Sequence, residues 1–125
     1  MKKIINTPDA PAAIGPYSQA IVHGGILYCS GQIPIDPSTG EFAGSTIDVQ
    51  AEQVMKNLAA LLKAAGTDFS KVIKCTIFLA DMGDFATVNG IYGKYFQSEP
   101  PARETVAVKT LPKNALVEIS CIAAV

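Results

Sequence analysis

The longest hydrophobic pattern in the chain has helical spacing and runs from Ser45 to Ala65. Apolar residues recur in it at intervals of three and four, which is typical of an amphipathic helix that packs one side on a core. These residues are Ile47, Ala51, Val54, Leu58, Leu61, Leu62 and Ala65. Ser45 or Thr46 is suited to cap the first turn, and Gly66 is suited to end the last one. The segment is therefore predicted to form one long helix.

Two segments after this helix have patterns of their own. Val72–Leu79 is a run of mostly apolar and β-branched residues, which predicts a strand. Asp84–Phe96 returns to helical spacing, with an apolar side formed by Phe85, Val88, Tyr92, Tyr95 and Phe96. This spacing predicts a second helix.

Short alternating segments predict strands at both ends of the chain. Gln19–Val22 and Ile26–Ser30 flank a two-glycine turn and are typical of a β-hairpin. Thr105–Lys109 and Leu116–Ala124 supply two more strands. The order β-β-α-β-α-β-β, with no repeat and no linker, predicts a single two-layer α+β domain over residues 1–125, in which a sheet of four to six strands packs on two helices.

Alternation along the predicted strands gives the sheet two faces of different character. One face is apolar and is expected to lie under both helices: Ile73, Cys75, Ile77, Leu79, Val106, Val108, Val117, Ile119 and Cys121. The opposite face mixes charged and apolar residues: Lys74, Thr76, Phe78, Arg103, Thr105, Ala107, Glu118, Ser120 and Ile122. Because both helices are used on the first face, we expect other subunits to cover the second, which makes the protein an oligomer.

Charge and composition narrow the classes of function. The net charge is −1 and the lysines form no cluster, which argues against a nucleic-acid surface. No run approaches the roughly 18 apolar residues that span a bilayer, and residues 1–9 lack the apolar segment of a signal peptide, so a cytoplasmic protein is expected. The three cysteines show no CxxC spacing and His23 is the only histidine, so we expect neither a metal site nor a redox pair.

The segment Pro100–Thr105 contains the only arginine of the chain, Arg103, directly after two prolines that end the preceding helix. A guanidinium offers a fixed fork of donors for a carboxylate, which a lysine does not, although an ordinary surface arginine explains the segment about as well. Glu118 is predicted to share its sheet face and to lie near it across a hairpin. The two residues form either a structural ion pair or a divided site, in which Arg103 holds a substrate carboxylate and Glu118 handles water or a proton.

Six blocks of sequence occur in order along the chain: APAAIGPYSQA at 10–20, SGQIP at 30–34, DFATVN at 84–89, PAR at 101–103, LPK at 111–113 and VEI at 117–119. Together they resemble the RidA/YjgF family of reactive-intermediate deaminases, and the match extends over nearly the whole chain. The resemblance implies a chorismate-mutase-like α+β fold and a homotrimer with a central β-barrel. It also implies three clefts between neighbouring subunits and no metal or organic cofactor.

The same resemblance implies hydrolysis of 2-enamine and 2-imino acids, released by pyridoxal-phosphate enzymes, to 2-keto acids and ammonia. By position, Arg103 would hold the substrate carboxylate and Glu118 would orient and activate the attacking water. The implied substrate-binding residues, partly from the adjacent subunit, are Tyr17, Ser30, Gly31, Asn89 and Thr105. Many relatives carry a cysteine in place of Thr105 and a second glutamate in place of Ser120, so the resemblance implies no role for a thiol at position 105 of this chain.

Three other functions stay open at the level of the sequence. One is a non-catalytic trimer that binds or senses small carboxylates such as keto acids. The others are the ribonuclease or translation-inhibitor activity associated with the family, and a chaperone of the holdase type. The retained Arg103 favours the deaminase over the binding trimer, and the absence of a histidine pair and a basic stripe lends the ribonuclease little support.

Overall fold

The computed structural model describes all 125 residues and contains six strands and two helices. The strands are β1 Lys3–Ile5, β2 Ala20–His23, β3 Ile26–Cys29, β4 Val72–Leu79, β5 Ala102–Ala107 and β6 Val117–Ala124, and the helices are α1 Ile47–Ala64 and α2 Phe85–Gly93. The two-layer α+β prediction is confirmed. The sequence pattern missed β1, which is only three residues long and pairs with β2.

The six strands form one sheet in the order β1-β2-β3-β6-β4-β5. Strand β4 lies between β5 and β6, parallel to the first and antiparallel to the second. A parallel pair needs a crossover connection, and α2 provides it. The expected hairpin between β5 and β6 was therefore wrong, since β4 separates these strands.

Helix α1 supplies the centre of the core. Val54, Leu58 and Leu61 are fully buried, and Gly66 ends the helix in a left-handed conformation at φ +79°, as its sequence predicts. Helix α2 ends at Gly93, short of the predicted Phe96, but still buries Val88 and Tyr92. Neither helix is long and apolar enough to cross a membrane.

The two faces of β4 and β6 follow the predicted alternation with one exception. A shift in register between Val72 and Lys74 turns Ile73 outward, where it is 48% exposed. On β6, Glu118, Ser120 and Ile122 are half-buried on the face opposite to the helices, while their neighbours along the strand are buried. We call this second side the open face of the sheet.

The faces of β5 were predicted the wrong way round. Arg103 pairs with Cys75 and Thr105 pairs with Ile77, so both lie on the helix side of the sheet. Val106 pairs with Phe78 on the open face and is 48% exposed. A valine pattern normally marks the buried side of a strand, but β5 is an edge strand whose helix side extends beyond the core.

Three buried amide side chains connect loops to this framework. Asn57 on α1 is fully buried, and its Nδ2 donates to the carbonyl oxygens of Ile33 and Ile35 at 3.1 and 2.9 Å. Gln50, also on α1, donates to the Gly44 carbonyl and accepts from the Leu116 backbone N–H. The third amide belongs to Gln19, which directly precedes β2 and holds the N-terminal loop. Because a buried polar group is stable only when hydrogen-bonded, these amides fix the paths of the loops around the sheet.

We expect Asn57→Ala to lower the free energy of unfolding by about 1–3 kcal/mol, because two carbonyl oxygens lose a buried donor. Urea denaturation of both proteins measures the difference. The control is Gln97→Ala, which removes an exposed amide that also donates to a backbone carbonyl, at 3.3 Å. Equal losses in the two variants would contradict a special role for the buried amide.

Candidate active site

The predicted site residues form two groups on opposite faces of the sheet. Glu118, Gly31, Ser30 and Tyr17 line one cavity of about 700 Å³, and we call them the glutamate half-site. Arg103 and Asn89 meet on the helix side, with the rings of Phe85 and Tyr92 beside them. These four residues are the arginine half-site.

The glutamate half-site depends on a close approach between the loop after β3 and strand β6. The backbones of Gln32 and Ile119 exchange two hydrogen bonds, at 2.8 and 3.2 Å, which bring Gly31 against the Glu118 carboxyl. A Cβ atom on Gly31 would overlap that carboxyl group, so any larger residue there would displace the Glu118 side chain. The hydroxyl of Ser30 donates to the Ser18 carbonyl at 2.6 Å and fixes the other end of the loop.

A buried glutamine, which the sequence interpretation missed, shapes the rim of this cavity. Gln19 Nε2 donates to the carbonyl oxygens of Thr7, Ala10 and Pro11, and its Oε1 accepts from the Thr7 backbone N–H at 2.7 Å. These bonds hold the proline-containing N-terminal loop against β2. The loop carries Tyr17, 54% exposed, to the cavity edge.

The opposite rim is formed by the connection from β5 to β6. Lys113 and Asn114 both have left-handed backbone conformations, at φ 55° and φ 57°. Such a conformation costs a non-glycine residue about 1 kcal/mol or more, so two in succession indicate a tightly constrained turn. Pro112 and Lys113 line the cavity that contains Glu118.

Glu118 is a carboxyl group without a polar partner inside the chain. It takes part in no side-chain hydrogen bond and in neither of the two ion pairs, which are Lys74–Glu104 and Lys94–Glu52. Partial burial raises its pKa above the ordinary value, because desolvation disfavours the carboxylate. A carboxylate with a raised pKa is a better base near neutral pH.

Arg103 is held by an amide and two aromatic rings, and no carboxylate lies within ion-pair distance of it. Its Nη1 donates to Asn89 Oδ1 at 2.6 Å. The guanidinium carbon lies 5.5 Å from the Phe85 ring centre and 5.1 Å from that of Tyr92, within cation–π range. The ion pair between Arg103 and Glu118 that the sequence left open is absent.

Thr105 lies two residues beyond Arg103 on the same side of β5, and its Oγ1 is buried without a hydrogen-bond partner. The thiol of Cys75, next to Arg103 across the strand pair, has its pKa raised to about 11, mainly by burial. This thiol therefore stays protonated and is a poor nucleophile. No cluster of three or more histidine, cysteine or acidic residues is arranged to hold a metal ion.

A single chain does not bring the two half-sites together. Arg103 pairs with Cys75 while Glu118 pairs with Phe78 from the other side of β4. This register separates the two backbones by about 10 Å along the strands and about 10 Å across them. Their side chains also point to opposite faces, so one small molecule bound to this chain alone does not reach both groups.

Comparison with known proteins gives consistent matches over the whole chain. The family model described as "Endoribonuclease L-PSP" matches residues 7–125. A mouse protein named 2-iminobutanoate/2-iminopropanoate deaminase is 50% identical, with 98% of this chain and 91% of the mouse protein covered. The chloroplastic Reactive Intermediate Deaminase A of Arabidopsis thaliana is 51% identical over 98% of this chain and 65% of its own. A crystal structure of a conserved Rid family protein from Yersinia pestis has a TM-score of 0.98, 52% identity and complete coverage of both chains.

We expect Glu118→Gln to be more stable than the wild type at pH 7. The raised pKa means that the carboxyl group favours the folded state while protonated, below its unfolded pKa, and that this contribution is lost as the pH rises through the folded pKa. The glutamine variant does not undergo this loss. Urea denaturation at pH 7 and pH 4 measures the effect, and the advantage of the variant should shrink at pH 4.

The control for this experiment is Glu41→Gln, which changes an exposed carboxylate at the surface. A stability gain that is equal in the two variants, or equal at the two pH values, would contradict the burial of Glu118 as its cause.

Proposed function

The chain belongs to the endoribonuclease L-PSP family, that of the RidA/YjgF proteins it resembles, and from this premise we propose that it hydrolyses 2-imino and 2-enamine acids to 2-keto acids and ammonia. The observation that carries the proposal is that the chain holds both an arginine with no carboxylate near it and a half-buried glutamate with no polar partner. These are the two groups that hydrolysis of a carboxylate-bearing imine requires. The relatives with this activity in their names are about half identical to the chain over almost all of it.

The active site of the proposal lies between subunits of a homotrimer, with the arginine half-site of one subunit facing the glutamate half-site of its neighbour. The open face carries exposed apolar side chains, including Ile4, Tyr28 and Val106, that are 46–60% accessible in the single chain. Burial of such a face stabilises association. Because each chain has both half-sites on opposite faces, a closed ring of three chains completes three sites.

Arg103 binds the substrate carboxylate through the donors that Asn89 leaves free. A bidentate contact of this kind fixes both the position and the plane of the imino acid. Thr105 and Asn89 border the same group, and Tyr17, Ser30 and Gly31 enclose the opposite side of the substrate from the neighbouring chain. Binding by two subunits therefore leaves the C2 carbon of the imine facing Glu118.

Hydrolysis then proceeds by addition of water. An enamine first takes a proton at C3 and becomes the iminium ion, whose C2 is already electrophilic. Glu118 accepts a proton from water as the oxygen attacks C2, and the bond electrons move to nitrogen. The same carboxyl returns the proton to the amino nitrogen of the resulting carbinolamine. The C2–N bond then breaks and ammonia leaves, while the hydroxyl proton passes to the Glu118 carboxylate and from there to ammonia, which forms the carbonyl of the keto acid. One such base contributes roughly 10²–10⁴-fold to a rate.

The cytoplasmic location expected from the sequence belongs to the same proposal, and cell fractionation tests it. The proposal also includes the biological role of the protein, which is to remove reactive imines after dehydratases release them. The binding-only trimer uses the same arginine contact, so turnover alone separates the two functions.

We expect the protein to accelerate release of 2-oxobutanoate and ammonia from 2-iminobutanoate generated in situ by a threonine dehydratase. Arg103→Ala should lower kcat/KM by about 10²-fold or more, because two charge-assisted hydrogen bonds are lost. The fold should survive, since Arg103 has no ion pair and lies at an edge strand. Lys109→Ala, which removes another exposed cation near β5, is the control.

No acceleration by the wild type over the spontaneous rate would refute the deaminase and leave the binding trimer. Loss of assembly in Arg103→Ala would assign the arginine to the interface rather than to the substrate.

A mixing experiment tests the site between subunits. Arg103→Ala and Glu118→Gln are each expected to be nearly inactive as pure proteins. After the two are unfolded together and refolded in equal amounts, a cleft is intact when its arginine comes from the Glu118 variant and its glutamate from the Arg103 variant. Random assembly gives each cleft this composition about one time in four, so about a quarter of the wild-type rate should return.

Sites contained within one chain would regain nothing on mixing, whatever the oligomeric state. Light scattering on the wild type measures the mass, and a monomer would contradict the proposed trimer directly.

A further inference from the structure

The face of α2 that lies toward β5 contacts Arg103 at three points. Phe85, Asn89 and Tyr92 are spaced by four and three residues, so their side chains lie along one face of the helix. The amide accepts a hydrogen bond from Nη1, and the rings lie 5.5 and 5.1 Å from the guanidinium carbon. We infer that Phe85 and Tyr92 are positioning residues, which fix the direction in which Arg103 presents its unused donors to the substrate carboxylate.

The unused donors of Arg103 lie along one edge of the guanidinium group. Asn89 takes a proton of Nη1 only, and neither Nε nor Nη2 has a partner in the chain. These two nitrogens point their protons in the same direction, and their spacing matches the two oxygens of a carboxylate. The hydrogen bond to Asn89 limits rotation within the guanidinium plane, and the two rings limit tilting of that plane.

Aromatic rings hold the cation without neutralising it. An arginine is commonly anchored by a carboxylate, which would occupy the fork of donors and cancel the charge. The chain places no carboxylate within ion-pair distance of Arg103. An amide oxygen and two π-faces supply the attraction in its place, so the full positive charge and a complete donor edge remain for a ligand.

The sequence pattern alone assigns the rings of Phe85 and Tyr92 to the core. The packing of the two rings in the structure differs. Tyr92 is 4% exposed and also stacks on Phe96, so it has a structural task in addition to the contact with Arg103. Phe85 is only half-buried, and its ring packs against no other aromatic ring of the chain. Its ring contacts the Arg103 guanidinium. Phe85 packs against the edge of the core without being fully buried, so its substitution disturbs core packing less than one at Tyr92.

The inference rests on the proposed function for its substrate, but its test does not depend on turnover. We expect Phe85→Leu to weaken binding of 2-oxobutanoate, the product keto acid, by about 2- to 5-fold, the value of one solvent-accessible cation–π contact. Isothermal titration calorimetry measures the dissociation constant. Where turnover occurs, KM should rise by a similar factor with kcat nearly unchanged, because the contact is present in both ground and transition states.

Two further variants separate positioning from packing. Phe85→Tyr keeps a π-face and should recover most of the affinity lost in Phe85→Leu. Phe69→Leu is the control, since Phe69 is another half-buried aromatic residue, packed on Tyr95 and Phe96 and away from Arg103. In NMR spectra of the ligand-free proteins, the resonance of the Arg103 Nε proton should shift from its wild-type position in Phe85→Leu and should keep that position in Phe69→Leu.

Equal affinities of wild type and Phe85→Leu for 2-oxobutanoate, or equal weakening in Phe85→Leu and Phe69→Leu, would overturn the inference. Binding that follows the expected order without any hydrolysis of 2-iminobutanoate would support the inference and refute the deaminase. Absence of keto acid binding by the wild type would overturn the inference, while turnover of 2-iminobutanoate would still decide the deaminase.

Discussion

The position of β4 between β5 and β6 determines where each functional group of this chain lies. Its parallel pairing with β5 requires the α2 crossover, which lays the Phe85 face of that helix along the edge of the sheet beside Arg103. Its antiparallel pairing with β6 sets Glu118 opposite Phe78 on the other side of the sheet. One strand thus separates the cation from the carboxylate and gives each of them different surroundings.

This separation preserves the chemistry of both groups. An ion pair between Arg103 and Glu118 within one chain would occupy the donors of the arginine and lower the pKa of the glutamate. Apart, the arginine keeps its full charge beside aromatic rings, and the glutamate has a raised pKa beside Gly31. Each half-site holds a charged group without a counter-charge, in a position set by the loop around Gly31 or by the rings beside Arg103.

Local patterns were sufficient to predict α1 and β4, because the residues buried along each of them recur with the period of the element. The face of β5 was not predictable in this way. Its alternation of valines with Arg103 and Thr105 fits either orientation, and only the register with Cys75 and Ile77, set by a crossover many residues long, decides between them. The contact between Phe85 and Arg103 was not predictable for a related reason. An aromatic residue on the apolar stripe of a helix is equally suited to packing in a core and to contact with a cation. The carbonyl partners of Gln19 likewise belong to a loop that no periodicity describes.

In the proposed trimer, assembly and substrate act on the same carboxyl group in a definite order. Covering the open face removes more water from Glu118, which raises its pKa further, while the approach of a neighbouring Arg103 lowers it. A substrate carboxylate bound to that arginine cancels most of its charge. The opposing effect of the arginine is then weaker than in the empty cleft, so the substrate carboxylate helps Glu118 to keep its basicity beside the cationic iminium. The reaction requires no covalent nucleophile from the protein, because the iminium ion is already an electrophile and Glu118 supplies the base for the attacking water.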